Sequence, residues 1–519
     1  IVVLLTLFGA LPVYWVVARE SPHGQGSIAM LEKLFPGWIG KTIVLVLLGF
    51  AATDFVITIT LSAADATSHI LENPVVQQLN FVPHNPVFCT SLLLLLLAGV
   101  FLMGFREAIG LSTALVIAYI SLNIYILTLG GQKILANPAL LNNWQLQLNA
   151  QYLNPLAMVA AAALVFPKLA LGLSGFETGV SVMPLVRGAE SDDPIQPKTR
   201  IANTRKLLLS AALIMSVMLM ASSIVTTVLI PATQFAPGGE ANGRAISYLA
   251  HMYMGPTFGS AYDIVTIAIL WFAGASALAG LLTLVPRYLP RYGMAPEWTA
   301  ATRPLVMFFF AVTVTVTLIF KANVDAQAAA YATGVLVLMT SAAAAVTVSM
   351  WKRSAILRLG FMAVTAILLY TTAANIIERP DGIQIASFFI FTILTISLCS
   401  RIARSLELRI KDVSFDSTAA SFILSNSDKP LRIIAHRPGG ASYAAKMAEL
   451  NETHGLNMGC DHVIFLEVSA LDPSEFEDEV LDVSGIKVGD YKIMRCQSPA
   501  VPNAIAALLL SLRQSTGIN

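Results

Sequence analysis

The sequence predicts an all-α polytopic membrane protein that carries a small α/β domain at its C-terminus. Of the 519 residues, 56% are hydrophobic and 12% are charged, and the mean hydropathy is +0.71. An ordinary soluble domain has about 45–50% apolar and about 25% charged residues. Long apolar runs follow one another to about residue 402, after which charged residues become frequent. We therefore expect a transmembrane domain over 1–404 and a cytoplasmic α/β domain over 405–519.

The charge and the cysteines argue against several other classes of protein. The formal net charge is +1, so the chain as a whole does not attract nucleic acid, and no nucleic-acid partner is expected. The four cysteines are far apart and form no C-x-x-C spacing, which argues against a zinc site or a disulfide framework. The sequence shows no P-loop, no metal-ligand spacing and no nucleophile with a partnered base, so we expect neither an enzyme nor a cofactor.

Eleven apolar runs are candidates to span a membrane, because about 20 residues cross the hydrocarbon core. They lie near 1–18, 42–66, 87–105, 108–129, 156–186, 207–230, 260–285, 304–320, 326–350, 355–376 and 383–402. The run 156–186 is too long for one simple span and contains prolines and glycines. It therefore predicts an interrupted helix, with the break between about Leu171 and Thr178.

The positive residues between these runs predict the orientation, because cytoplasmic loops carry an excess of Lys and Arg. The loops after the first, third, fifth, seventh and ninth runs hold 15 Lys and Arg, and the intervening loops hold 4. We therefore expect a plasma-membrane protein with a cytoplasmic C-terminus. The chain begins at Ile1 inside an apolar run. We expect one preceding span to be missing, and a cleaved signal peptide is the alternative.

The C-terminal region has the pattern of a compact α/β domain. Short β-type runs at 431–436, 461–470 and 490–496 alternate with helical runs at 440–453 and 502–513. The RPGGASY stretch at 437–443 follows a strand and precedes a helix, where phosphate can bind, although an ordinary strand-to-helix turn is the favoured interpretation. This domain lacks apolar spans, so we expect it to regulate or assemble the protein, with a homodimer as one such assembly.

Ionisable residues inside a span are costly and therefore mark candidate functional sites. In the run 42–66, Thr58, Ser62 and Asp65 lie about 40°, 80° and 20° from Asp54 around a helix. All four share one face, and we expect Asp54, Thr58 and Ser62 to face the protein interior. Carboxylates and hydroxyls on one stripe offer oxygen ligands to a hard cation or acceptors to an ammonium group. Two alternatives remain open: the hydroxyls bond back to their own helix, and Asp65 lies near the outer interface.

A second carboxylate lies at the predicted break, in the GLSGFETG stretch at 172–179. Small residues there allow the backbone to open beside Glu177. A carboxylate in an apolar cavity can take up and release protons near neutral pH, as a proton-coupled carrier requires. The structural alternative is a glutamate that bonds to a neighbouring helix. Lys168 is either the partner of Glu177 or extends to an interface.

A resemblance to a known family rests on four stretches: SPHGQGSIAMLE at 21–32, TDFVITITLSA at 53–63, GLSGFETG at 172–179 and YATGVLVLMT at 331–340. They resemble, in that order, the loop and helix after the second helix, the third helix, the broken sixth helix and the tenth helix of the amino acid–polyamine–organocation (APC) superfamily. Within it, the chain is most similar to the KUP-type and KimA-like potassium importers. The C-terminal PLRIIAHRP and DYKIMRC stretches resemble the cytoplasmic domain of those importers.

The resemblance implies a LeuT-like fold, in which an inverted repeat of five helices plus five is joined by two extra helices and the substrate binds near the midplane. The first helix would be missing from this chain. Carried over by position, the resemblance implies that Thr58, Ser62 and Ser174 bind the substrate, although the importers favour Thr at the last position. It also implies that Glu177 and Asp54 couple transport to protons. Tyr331 would lie across from Glu177 and help to close the path.

The expected function is secondary active transport, with proton-coupled potassium uptake by alternating access as the leading hypothesis. The stripe of oxygen ligands, Glu177 and the soluble domain favour it. A proton-coupled amino acid permease is the alternative, because broken helices would face the carboxylate of such a substrate and the aspartates its amine. A receptor or scaffold without transport is ranked third. The expected partners are a potassium ion or an amino acid, protons and the lipid bilayer.

Overall fold

The structure is a computed structural model that describes residues 1–35, 37–78, 83–104, 109–152, 154–167, 169, 175–236, 238–288, 294–351, 353–404, 410–424, 432–454, 463–472 and 480–516. The chain forms two compact units. The first comprises Ile1–Phe35, Thr42–Pro286 and Trp298–Leu394, and the second comprises Pro36–Lys41, Arg287–Glu297 and Thr395–Asn519.

Ten helices in the described ranges are long and apolar enough to cross a membrane. We label the helices up to residue 403 in chain order: α1 Val2–Glu20, α2 Gly26–Leu34, α3 Gly37–Leu71, α4 Pro86–Met103, α5 Ile109–Ala136, α6 Pro138–Gln151, α7 Pro155–Val165, α8 Phe176–Ser181, α9 Lys198–Leu229, α10 Ala245–Met254, α11 Pro256–Tyr288, α12 Thr302–Phe320, α13 Val324–Ser349, α14 Ala355–Glu378 and α15 Pro380–Ala403. Ten of the eleven predicted runs coincide with one long helix each. The length and composition of these helices are those of a multi-pass membrane protein.

The eleventh predicted run, 156–186, does not form one long helix. α7 is 11 residues long, and it is bent by 86° from α6. The sequence Asn154-Pro155 explains where α7 begins. The Asn154 side chain accepts a hydrogen bond from the backbone N–H of Ala157 at 2.7 Å, and proline fits the first turn because its missing N–H is not needed there.

Other Asn-Pro pairs begin helices in the same way. Asn85 accepts bonds from the backbone N–H groups of Val87 and Phe88 at the start of α4. Asn73 accepts one from Val75 at the start of the one-turn helix Pro74–Gln77. In each case the side chain caps a free N–H group and the proline ends the preceding segment.

The core of the first unit is formed around α3 and α13. In their most apolar windows, 78% of α3 and 67% of α13 is buried, against 17% for α5 and for α15. α13 is rich in alanine, with runs at 328–330 and 342–345. Small residues allow other helices to approach its backbone closely, which is why this helix can be surrounded by protein.

Close approaches show how the neighbours of these two helices run. α3 and α11 are antiparallel, because Gly280 packs on the Phe55 ring whereas Gly274 packs on Ile59. α13 and α14 are also antiparallel, and polar side chains join them at seven-residue intervals along α13. The bonded pairs are Asn375–Thr333 at 2.9 Å, Thr372–Thr340 at 2.8 Å and Thr365–Thr347 at 3.0 Å.

The second unit contains a five-stranded sheet with helices on both faces. Its elements are β1 Asp412–Phe415, α16 Ser417–Leu424, β2 Arg432–His436, α17 Tyr443–His454, β3 Val463–Ala470, β4 Val480–Val488, β5 Tyr491–Ser498 and α18 Val501–Thr516. The strand order is β1-β4-β5-β3-β2. β4 and β5 form an antiparallel hairpin, and the other neighbouring strands are parallel.

The alternating side chains of β3 supply both faces of this sheet. Leu466 packs in a cluster with Leu508 of α18, whereas Phe465 packs with Met447 of α17 on the opposite face. The six residues Val463–Val468 of β3 are buried, as expected of a strand that helices cover on both faces. The three predicted strands and two predicted helices are observed, whereas β1, α16 and β4 were not predicted.

Candidate functional site

The polar stripe of α3 lies inside the protein, as predicted. The side chains of Asp54 and Ser62 are buried, and those of Thr58 and Asp65 are half-buried. Thr58 donates a hydrogen bond to the carbonyl oxygen of Asp54 at 2.8 Å, as the structural alternative proposed. This bond uses the hydroxyl hydrogen and leaves the lone pairs of the oxygen free to bind a cation.

Asp54 is the only carboxylate among the buried side chains of the described residues that have an atom without a hydrogen-bond partner. Its Oδ1 atom is buried and has no hydrogen-bond partner within the described part of the chain. Its backbone and Cβ lie against Gly334 of α13, where an added Cβ would stand 3.2 Å from the Asp54 Cβ. A buried carboxylate oxygen without a partner is costly, so a group absent from the protein itself, such as a cation, a proton or water, must satisfy it.

The predicted break beside Glu177 is confirmed on its C-terminal side. Gly175 adopts a left-handed conformation with φ of 94°, and α8 begins at the next residue. A continuous helix cannot pass through such a residue, and glycine adopts this conformation without strain. Lys168 and the stretch 171–174, which includes the predicted ligand Ser174, lie outside the described residues.

Glu177 lies in the first turn of α8 and contacts the start of α2. Its Oε1 atom accepts hydrogen bonds from the backbone N–H and the hydroxyl of Ser27, both at 3.3 Å. Gly26 makes this approach possible: its φ is 63°, and any Cβ at this position would overlap Glu177 Oε1. The 21–32 stretch therefore holds the carboxylate that the sequence analysis selected.

Tyr14 of α1 is a further member of the site that sequence reasoning missed. It is fully buried, and its ring stacks on Phe176 with centroids 5.4 Å apart. Its hydroxyl lies close enough to Glu177 and Asp54 to interact electrostatically with both carboxylates. An aromatic hydroxyl inside the first apolar run was the available signal. Tyr331, predicted to lie across from Glu177, is half-buried on α13.

These residues form a buried site with two carboxylates and several hydroxyls. Asp54 and Glu177 come from separate helices and are close enough to repel each other when both are ionised. Tyr14 and Ser27 add hydroxyl groups at Glu177, and Thr58 adds one on the turn after Asp54. Oxygen ligands with excess negative charge suit a hard cation or a proton. Such a pair of carboxylates can exchange a proton for a cation, since either ligand relieves the repulsion.

A different cluster lies at the far end of α3. The side chain of Asp263, in α11, is fully buried and receives four hydrogen bonds. The donors are His69 Nδ1 at 3.0 Å, Ser247 Oγ at 2.6 Å, Asn73 Nδ2 at 2.7 Å and His251 Nε2 at 2.9 Å. The sequence analysis did not select Asp263, although an acid within an apolar run was a visible signal. The cluster ties the ends of α3, α10 and α11 together.

The second unit has a polar network on β3. Glu467 is paired across the sheet with His436 of β2 and Arg495 of β5. It accepts bonds from His436 Nδ1 at 2.9 Å, Arg495 Nε at 2.7 Å and the Tyr443 hydroxyl at 2.7 Å. Burial raises the pKa of Glu467, but the bonds from Tyr443, Arg495 and His436 outweigh it and hold the pKa below its usual range. The network therefore holds an ionised carboxylate in the sheet.

The predicted strand-to-helix turn lies beside this network. β2 ends at His436 and α17 begins at Tyr443, with Gly439 at φ 71° between them. A cavity of about 510 Å³ opens at the ends of β2 and β3, with Arg437, Val468 and Ile505 among its lining residues. The turn itself is observed, and phosphate binding there remains the alternative stated above.

Comparisons with known family models and curated proteins assign the chain to no family. No protein-family model matches the chain, and a search of curated proteins finds no match.

Proposed function

We propose that this protein is a secondary active transporter of the APC superfamily that takes up potassium together with protons by alternating access. The observation that carries the proposal is the buried Asp54 oxygen without a partner, placed beside Glu177 and the helix break at Gly175. A monovalent cation bound there satisfies the oxygen, and the break lets α8 move relative to α7. In this proposal the C-terminus lies in the cytoplasm and the second unit regulates or assembles the transporter.

Proton coupling in this proposal depends on Glu177. A proton on this carboxylate removes its repulsion with Asp54, and this repulsion changes when a cation occupies the site. The two ligands therefore influence each other's affinity through one set of charges, which is the thermodynamic basis of coupling. Ser27 holds Glu177 from α2, so the protonation state also affects how α8 packs on α2.

The test is uptake into proteoliposomes of potassium, or of its tracer rubidium, against a panel of amino acids, with and without an imposed pH gradient. We expect wild-type protein to accumulate the cation along the proton gradient. Glu177→Gln should abolish this accumulation while cation binding survives in part, because an amide keeps the size of the side chain but cannot exchange a proton. Glu240→Gln is the matched control, since Glu240 is an exposed carboxylate.

Each outcome has a defined meaning. Gradient-driven accumulation of amino acids and not of potassium would establish the permease alternative. If Glu177→Gln accumulates the cation along the pH gradient to the wild-type level, Glu177 takes no part in coupling. If the wild-type protein neither transports nor binds any of these substrates, the transporter proposal fails and a scaffold with a transporter fold remains.

A further inference from the structure

Gln327, near the start of α13, is a buried polar side chain that the proposed site does not yet include. It is fully buried, and neither its amide oxygen nor its amide nitrogen has a hydrogen-bond partner in the part of the chain that the structure describes. Buried polar side chains nearly always have a partner, which is often a water molecule or an ion. An amide with both ends unpaired therefore indicates a ligand that the protein alone does not supply.

Helix geometry places Gln327 on the face of α13 that meets Asp54. Gly334, which packs on Asp54, follows Gln327 by seven residues. At about 100° and about 1.5 Å per residue, the two positions are about 20° apart around α13 and about 10.5 Å apart along it. Gln327 therefore lies on the same face as Gly334, two turns away.

Contacts of α15 determine the direction of this displacement. Gly382 packs on Ala330 and Thr333 of α13, and eight residues later in α15, Ile390 packs on Gly49 of α3. α15 thus passes from the early part of α13 to the part of α3 that precedes Asp54.

If α3 and α13 ran parallel, Ala330 and Gly49 would lie nearly level, because each precedes the contact between Asp54 and Gly334 by four or five residues. The eight residues of α15 between these two contacts instead rise by about 12 Å. α3 and α13 therefore run antiparallel where Asp54 meets Gly334.

Moving seven residues back along α13, to Gln327, corresponds to moving about seven residues forward along α3. That displacement leads from Asp54 to the turn that contains Thr58 and Ser62. The unpaired amide is therefore level with the two hydroxyls of the polar stripe.

We propose that Gln327 is a ligand of the transported cation at the level of Thr58 and Ser62. There its amide oxygen and the hydroxyl oxygens of Thr58 and Ser62 replace water around the ion. The inference rests on the proposed function and extends its site by about two helical turns. All three groups are neutral, so they hold a cation less tightly than a carboxylate does. A cation must be able to enter and leave such a position, and neutral oxygens allow it to move on to Asp54.

The test uses Gln327→Leu, which keeps much of the shape of the side chain and removes its polar atoms. Replacing an unpaired buried amide by an apolar group should leave the apparent melting temperature unchanged or higher. In the same variant, the half-saturating potassium concentration for uptake should rise by about tenfold, the effect of one lost ligand. Gln327→Glu keeps an oxygen ligand at this position and should retain high affinity. Ser216→Ala, which removes another unpaired buried hydroxyl, should leave the affinity at its wild-type value.

Potassium-induced stabilisation of each variant, relative to its own melting temperature without potassium, gives a second measurement of binding. Gln327→Met keeps an unbranched side chain and replaces the leucine variant if that one unfolds. If wild-type protein binds potassium and the apolar variants bind it equally well, Gln327 has only a packing role and the inference fails alone. If wild-type protein binds no cation, the proposed function fails and the inference fails with it.

Discussion

Two buried aspartates, Asp54 in α3 and Asp263 in α11, differ in what surrounds them. Asp263 is fully buried and receives four hydrogen bonds from His69, Asn73, Ser247 and His251. Asp54 is also buried, but its Oδ1 atom has no partner among the described residues. Removing one member of a buried charged network whose bonds are all made destabilises a fold, whereas a buried charge with bonds missing already costs free energy. The comparison distinguishes a carboxylate whose bonds are all made within the protein from one that, in the proposed function, binds a ligand.

The surroundings of the two aspartates also differ in how freely they can move. The Asp263 cluster joins α3, α10 and α11, and Gly259 fits so closely to the His251 ring that a Cβ would lie 2.3 Å from it. The Asp54 site instead includes α8, which follows a left-handed residue and is six residues long. Hinges are a few residues at the ends of elements that absorb a change of backbone angles, and Gly175 has this position before α8. In the proposed function, α8 is therefore the moving part and α11 belongs to the scaffold.

The largest effect on stability is expected from Asp263→Ala. This change leaves four buried donors without an acceptor, and removing one member of a buried charged network costs about 3–5 kcal/mol. The apparent melting temperature in detergent should fall strongly, and hydrogen exchange should increase in α10. Glu240→Gln, at an exposed carboxylate, should change neither. A melting temperature equal to that of the wild type would mean that Asp263 does not hold these helices together.

A smaller effect is expected at Glu467, a carboxylate that resembles Asp263 because its bonds are made, although it lies in the second unit. Glu467→Gln should destabilise that unit by about 1–3 kcal/mol at pH 7, since Arg495 and His436 lose a charged acceptor. The depressed pKa of Glu467 means that its stabilisation is complete above the unfolded value of about 4.3. It is lost as the pH falls through the lower folded value.

Hydrogen exchange of β3 and β5, corrected for intrinsic rates at each pH, measures this effect in the full chain. Wild-type protection should fall between about pH 5 and pH 3, across the usual range for a glutamate, and the fall should be shallower in Glu467→Gln. Asp482→Asn, at an exposed position of β4, is the control and should keep the wild-type pH profile. Identical profiles for wild type and Glu467→Gln would show that this network does not control acid stability.

The long helices could be predicted from the sequence because each depends on the apolarity of one continuous run. The shared face of Asp54, Thr58 and Ser62 was predictable for a similar reason, since it follows from the period of a single helix. Contacts between distant segments were not predictable. Ser27 and Glu177 are 150 residues apart, and His69 and Asp263 are 194 apart, so no local pattern joins them. β4 was missed because Gly485 and charged residues interrupt its apolar alternation.

The smallest change in stability, together with a complete loss of binding, is expected from Asp54→Asn. This variant keeps the size of the side chain and removes the charge of a carboxylate whose Oδ1 atom has no partner. Burial of an unpaired charge is relieved by the change, so the melting temperature without substrate should stay within the wild-type range or rise slightly. Potassium should stabilise the wild-type protein in proportion to its binding, and it should not stabilise the variant. Asp263→Asn, measured in parallel, should show the opposite pattern, with a lower melting temperature and a potassium-induced increase that persists in the folded fraction. If Asp54→Asn unfolds as readily as Asp263→Asn, then Asp54 is a structural residue and the distinction between the two aspartates fails.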